Sequence, residues 1–244
     1  MISLRKQKAA LITGAARRIG RHIALRLTAL GYAVAIHYNN SQRDANDLAN
    51  RIRAKGGHCE LFQCDLRGAD QTQRLIERVY EKFSGLNLLI NSASIFQECN
   101  FKNSNWQNLD ENFSIHLRAP YILTSEFAKI CKSGQIINML EAHIDNNHLT
   151  HFDYLLTKKA LAEFTKLSAM ALAPAIRVNG IAPGLILAPI TNTKPQGYLN
   201  RLAKNIPLKR KGGPEKIAKT VEFFLTNDFI TGQIIFVDGG EHLL

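Results

Sequence analysis

Long apolar runs are missing from this chain. No stretch approaches the ~20 consecutive apolar residues of a membrane-spanning helix, although apolar residues make up 45% of the sequence. Cysteine is scarce. Cys59, Cys64, Cys99 and Cys131 show no Cys-x-x-Cys spacing, which favours buried thiols in a reducing compartment over a disulfide framework. Acidic residues are few, 20 against 31 basic ones, leaving a net charge of +11. Such a balance suits nucleic acid or a polyanionic cofactor. The basic residues are scattered, and even the densest run, Lys209-Arg210-Lys211, has no interleaved aromatics. With no DNA-reading motif, nucleic acid is not an expected partner. There is no internal repeat, low-complexity tract or linker. Met1 to Lys6 carry charge without the apolar core of a signal peptide. The expectation is one cytoplasmic domain, residues 1–244, with no membrane contact.

What is present is alternation. Short apolar runs at Ala9–Thr13, Tyr32–Tyr38, Cys59–Cys64, Asn87–Asn91, Ser133–Met139, Ile176–Ile181 and Gln233–Val237 read as seven strands. Between them, His22–Leu30, Asp44–Lys55, Ala69–Phe83, Trp106–Cys131, Tyr154–Leu172 and Pro214–Asn227 read as helices, with a kink expected at Pro120. Strict alternation predicts an α/β fold: one doubly wound (Rossmann) domain, a seven-stranded parallel sheet with helices on both faces. Residues 185–213 are poorly patterned, with Pro189, Pro195, Gly197 and Pro207. A loop this long in a compact domain is usually functional, so a substrate lid is expected there.

Three groups of residues carry chemistry. The first is Gly14-Ala15-Ala16-Arg17-Arg18-Ile19-Gly20, between a strand and a helix. Gly14 permits a tight turn, Gly20 lets helix and sheet approach, and the helix N-terminus offers N–H groups to a phosphate. Alone, this also describes an ordinary β-α turn. The second strand ends in His37-Tyr38-Asn39-Asn40-Ser41, without the carboxylate that would hold a ribose 2′-hydroxyl. With Arg17 and Arg18 opposite, a 2′-phosphate meets cations and donors, which favours NADPH/NADP+. The third group is Tyr154 and Lys158, four apart and hence on one helix face, with Glu141 just past the fifth strand. A cation beside a phenol lowers its pKa, so the pair can pass a proton while a hydride arrives from elsewhere. The same spacing occurs on many surface helices. Ser94 and Phe96 follow the fourth strand, at the sheet edge where ligands lie, although Phe96 also reads as loop packing. His116, alone in a helix, reads as a packed histidine. His143, His148 and His151 match no usual ligand spacing, so no metal is expected.

Together the motifs resemble those of the short-chain dehydrogenase/reductase family. They are Thr13-Gly14-x-x-x-Arg18-x-Gly20, Asp65-Leu66, Asn91-x-Ala93, Tyr154-x-x-x-Lys158, Arg177-Val178-Asn179, Pro183-Gly184, Thr231-Gly232-Gln233 and Val237-Asp238-Gly239-Gly240. Four departures from the common pattern are informative: Arg18 for a glycine, Ser92 and Ser94 in the Asn-Asn-Ala-Gly segment, His116 for an asparagine, and Glu141 for the usual serine. The combination is similar to the pteridine reductase branch, including the bacterial dihydromonapterin reductases. Ile36-His37-Tyr38, Ala93-Ser94-Ile95-Phe96, Leu172-Ala173-Pro174 and Pro183-Gly184-Leu185-Ile186-Leu187 fit that branch as well.

The resemblance implies roles. Tyr154, Lys158 and Glu141 would be catalytic, with Lys158 also holding the nicotinamide ribose. Arg18 would contact both cofactor phosphate and pterin, the backbone of Ile19 would meet the pyrophosphate, and Gly14, Arg17 and Gly20 would belong to the cofactor site. His37, Tyr38, Asn39 and Ser41 would surround the 2′-phosphate. Asp65 and Leu66 would border adenine, and Asn91, Ser92 and Ala93 the ribose. Pro183, Gly184 and Ile186 would complete the cofactor site. Arg18, Ser94, Phe96 and Tyr154 would hold a small-molecule pterin, with Phe96 stacked on its ring. A homotetramer is implied.

Glu141 also has a chemical logic of its own. Reducing a C=N bond requires protonating a nitrogen, and a partly desolvated carboxylic acid is a natural donor. A solvated loop carboxylate is the plainer alternative. Three functions compete: reduction of a dihydropterin such as dihydromonapterin or dihydrofolate; reduction of a carbonyl, for example a 3-oxoacyl thioester, with Lys209-Arg210-Lys211 meeting an acidic carrier; and non-catalytic NADP-binding regulation. The serine missing at position 141 argues against the second. The intact Tyr154/Lys158 pair argues against the third.

Overall fold

A computed structural model describes residues 7–147, 149–187 and 197–244. Seven strands form one sheet: β1 (Ala9–Ile12), β2 (Ala33–Tyr38), β3 (Cys59–Gln63), β4 (Leu86–Asn91), β5 (Gly134–Met139), β6 (Ile176–Pro183) and β7 (Ile234–Val237). Their order is β3-β2-β1-β4-β5-β6-β7, and every pairing is parallel. The helices are α1 (Arg18–Ala29), α2 (Gln42–Arg53), α3 (Ala69–Lys82), α4 (Trp106–Phe113), α5 (Ala119–Cys131), α6 (Phe152–Leu172), α7 (Tyr198–Ala203) and α8 (Pro214–Thr226).

Alternation along the strands builds two cores. Ala10, Ile12, Val34, Ile36 and Ile90 pack under Ile23 and Leu27 of α1, Leu48 and Ile52 of α2, and Val221 and Phe224 of α8. Their neighbours Ala9, Leu11, Ala35 and Leu89 face Leu75, Ile76 and Val79 of α3, and Leu123 and Phe127 of α5. Successive strand residues point to opposite faces, so a sheet covered on both sides needs apolar residues at every position. The strand order reverses between β1 and β4. In a doubly wound sheet, the crevice at the carboxyl ends of such strands is the ligand site.

The structure departs from the expected elements in three places. Helix α1 starts at Arg18, not His22, because Gly20 lies inside its first turn; a Cβ on Gly20 would sit 2.5 Å from the Gly14 carbonyl oxygen. The long helix expected from Trp106 to Cys131 is interrupted by a π-helical turn, Ser114–Arg118, just ahead of Pro120. Proline lacks an N–H and crowds the carbonyl four residues back, here that of His116. A wider turn absorbs that mismatch and carries His116 into the interior. Within the stretch read as a lid, Tyr198–Ala203 forms the short helix α7, whereas residues 188–196 lie outside the described residues. Among the described residues, no helix is long and apolar enough to cross a membrane.

Candidate active site

The glycine turn after β1 is held by close contacts. Gly14 has φ +66, and a Cβ there would lie 2.9 Å from the Cα of Ala93. Only glycine takes this conformation and this proximity without cost. The Thr13 hydroxyl accepts from the backbone N–H groups of Ser92 and Ala93 at 2.9 and 3.0 Å, tying the ends of β1 and β4 together. Arg18, at the position the family gives to glycine, has φ +53. A non-glycine residue in the left-handed region is strained, and such strain concentrates at functional sites. Burial lowers the Arg18 pKa, and the guanidinium lies 3.5 Å from the Leu187 carbonyl, so it reaches across the cleft.

Two residues expected at the 2′-phosphate have partners within the chain. The His37 ring is buried. Its Nδ1 accepts from the Gly14 N–H at 3.1 Å, and its Nε2–H donates to the Cys64 carbonyl at 3.0 Å. Burial lowers its pKa to about 4. His37 is therefore a neutral strut under the glycine turn, not a phosphate cation. Arg17 is ion-paired with Asp44 at 2.6 Å, so its charge is partly compensated. Tyr38 closes β2, and the Ser41 hydroxyl makes no capping bond to α2. Asn39 bonds to Asp65, whose carboxyl is held below its usual pKa chiefly by Arg67, 2.6 Å away. Leu66 is buried behind it. No carboxylate ends β2, as expected.

At the ends of β4, β5 and β6, the predicted residues converge. The Asn91 amide donates to Asn138 Oδ1 at 2.8 Å, leaving its own buried Oδ1 without a partner among the described residues. Pro183 ends β6, Gly184 packs on Asp238, and Ile186 is buried with α1. The Tyr154 hydroxyl donates to Glu141 Oε2 at 3.1 Å. Burial pushes the Glu141 carboxyl from 4.5 up to about 7, against the lowering pull of Tyr154 and Lys158. Lys158, also buried, donates to the Met139 carbonyl at 2.6 Å, and burial brings its pKa down to about 8.

The expected lowering of the Tyr154 pKa is not what this geometry produces. Burial first, and then the Glu141 carboxylate, push the phenol well above 10. The Lys158 ammonium lies 5.6 Å from the ring centroid. Desolvation outweighs the cation, so Tyr154 is held as a neutral phenol.

His116, read from sequence as a packed histidine, is part of the site. Its Nε2 accepts from the Ile95 N–H at 3.2 Å and lies 3.0 Å from the Ser94 hydroxyl. Accepting at Nε2 leaves the proton on Nδ1, which faces Thr157 Oγ1 at 3.2 Å. Burial lowers its pKa well below the usual value, and its ring meets Tyr154 edge-on at 5.1 Å. Ser94 also hydrogen-bonds Tyr154. Polar groups thus run from Glu141 through Tyr154 and Ser94 to His116. The π-helical turn was the missing signal, and single-residue pattern reading does not show it.

Phe96 is half exposed. It stacks on His151 at 4.1 Å and meets Tyr154 edge-on at 4.9 Å. Of the three histidines weighed as metal ligands, His148 lies outside the described residues, and His143 bonds Asn146 Oδ1 at 3.1 Å.

Known proteins resemble this chain over nearly its whole length. A family model described as Enoyl-(Acyl carrier protein) reductase matches residues 14–242. The 3-oxoacyl-[acyl-carrier-protein] reductase FabG of Staphylococcus epidermidis is 33% identical over 97% of this chain and 99% of its own. The 3-oxoacyl-[acyl-carrier-protein] reductase of Synechocystis is 33% identical over 95% of each. Crystal structures of FolM Alternative dihydrofolate reductase 1 with NADP are similar throughout. That from Brucella canis has TM-score 0.92 at 35% identity, covering 99% of this chain and 96% of its own; that from Brucella suis has 0.89 at 35%, covering 97% and 96%. With the doubly wound sheet, the glycine turn and the Tyr154/Lys158 pair, these matches show that the chain is an oxidoreductase of the short-chain dehydrogenase/reductase family.

Proposed function

We propose that this protein is an NADPH-dependent reductase that converts a dihydropterin, such as dihydromonapterin or dihydrofolate, to its tetrahydro form. The observation that carries the reading is the half-buried Glu141 carboxyl, hydrogen-bonded to Tyr154 and pushed up to about 7. The likeness to the NADP-bound FolM structures supports it.

The residues present fit NADPH. The left-handed Gly14, the α1 N-terminus and Arg18 suit a pyrophosphate, and the partnerless Asn91 Oδ1 suits a ribose hydroxyl. Tyr38, Asn39 and Ser41 would meet the 2′-phosphate, with Arg17 sharing its charge between that group and Asp44. When bound, the cofactor supplies the hydride. The chain supplies the rest. Phe96 offers a half-exposed ring to a pterin, and Arg18 and Ser94 offer donors to its edge. Glu141 holds a proton near neutral pH for the ring nitrogen. Tyr154, kept neutral, donates a hydrogen bond to that carboxyl and orients it. Lys158 keeps a positive charge beside both.

The FabG relatives favour a second reading, reduction of a 3-oxoacyl thioester. Side-by-side NADPH oxidation with dihydromonapterin, dihydrofolate, dihydrobiopterin and acetoacetyl-CoA separates the two. Dihydropterin turnover that is lost in both Tyr154→Phe and Glu141→Gln supports the pterin reading. Turnover of the thioester alone, indifferent to Glu141→Gln, replaces it. We assign substrate choice to residues 185–213, and a homotetramer to the assembly; exposed Leu156, Leu167 and Met170 on α6 give it an apolar surface to bury, and light scattering tests it.

A further inference from the structure

A second glutamate, Glu241, reaches the turn that follows Glu141. After β7, Asp238 accepts from the N–H groups of Gly240 and His242 at 3.0 and 2.7 Å, and from the His242 ring at 2.6 Å. The His242 ring stacks on Phe236 at 4.1 Å. This knot fixes the turn Glu241–Leu243 and aims Glu241 back into the molecule. Glu241 Oε2 accepts from the Leu185 N–H at 2.9 Å, where the chain leaves β6. Its other oxygen lies 3.7 Å from His143 Nε2, two residues beyond Glu141. Gly184 has no room for a side chain, because a Cβ there would sit 2.5 Å from that of Asp238 and against the Glu241 carboxylate. The same turn accepts from the Leu208 N–H through the Gly239 carbonyl at 3.1 Å, and the Leu185 carbonyl accepts from the Gly212 N–H at 3.0 Å.

We propose that Glu241 is a positioning residue for the proton donor: it ties the exit of β6 to the turn after Glu141 and sets a second carboxylate within electrostatic reach of the first. This rests on reading Glu141 as the acid. Two nearby carboxylates resist ionising together, so the more buried one keeps its proton. The charged and titratable groups around them are Tyr154, Lys158 and Lys159 of α6, His143 on the turn after β5, and Asp238 and His242 on the last turn. The field of Glu241 acts on Glu141 in the same direction as burial.

The test compares Glu241→Gln with Glu241→Ala. Glutamine keeps an oxygen for Leu185 but loses the charge. Its Glu141 carboxyl, followed by infrared or 13C titration in the cofactor-free protein and assigned by its loss in Glu141→Gln, titrates about half a pH unit lower. The alkaline decline of kcat moves with it, while KM stays near wild type. In Glu241→Ala, the Leu185 amide exchanges faster and KM rises. A Glu141 midpoint unchanged in Glu241→Gln overturns the proposal, since a merely structural role leaves that midpoint in place. A wild type that reduces no dihydropterin overturns the functional reading instead. The titration needs no substrate and decides the placement of Glu241 either way.

Discussion

Replacing Glu141 with glutamine should stabilise the protein while disabling it. The carboxyl titrates at about 7 in the fold against an ordinary 4.5, because burial disfavours its charge. The folded state therefore holds this proton more tightly than the unfolded chain. The wild type has its full stability below about pH 4.5 and loses some as pH rises through about 7. The shift corresponds to about 3 kcal/mol, an upper bound because the residue is not fully enclosed. In Glu141→Gln the side-chain oxygen still accepts from Tyr154, and no charge is buried. The expected gain is nil near pH 4.5 and grows to at most about 3 kcal/mol by pH 8. For a chain of this size that raises Tm by up to ~10 °C. Thermal unfolding of both proteins from pH 4.5 to 8 reads it directly. A Tm difference that stays flat across that range refutes burial as the cause of the raised pKa.

The wild type itself should lose kcat/KM for a dihydropterin as pH rises through about 7, because the acid form of Glu141 is depleted there; initial rates across pH 5.5–9 check the direction. Arg18→Gly should relieve the left-handed backbone at φ +53, by about 1 kcal/mol, raising Tm by ~3 °C while increasing KM for both NADPH and pterin. The His37 ring should show no titration in NMR spectra above about pH 5, since its pKa is lowered to about 4. His37→Leu, which strips hydrogen bonds from Gly14 and Cys64, should cost about 2 kcal/mol in chemical denaturation and weaken NADPH binding in fluorescence titration.

The sequence by itself determined the class of fold. Strand residues apolar at every position demand a sheet covered on both faces, and strict alternation with helices makes that sheet parallel. Local stereochemistry also marked Gly14, Gly20 and the carboxylate-free end of β2, since glycine and charge act wherever the chain places them. The grouping of Tyr154 with Glu141 was legible in the sequence, but not their contact, because nothing local brings residues thirteen apart to 3.1 Å. Tertiary structure decided the rest. Burial is a property of the packed molecule, and it reversed the expected shift of Tyr154, held His37 neutral under the glycine turn, and raised Glu141. A π-helical turn answering Pro120 swung His116 into the site. The fold of β7 brought Glu241 to His143, on the turn after Glu141, because desolvation and proximity depend on what the whole chain packs around a group.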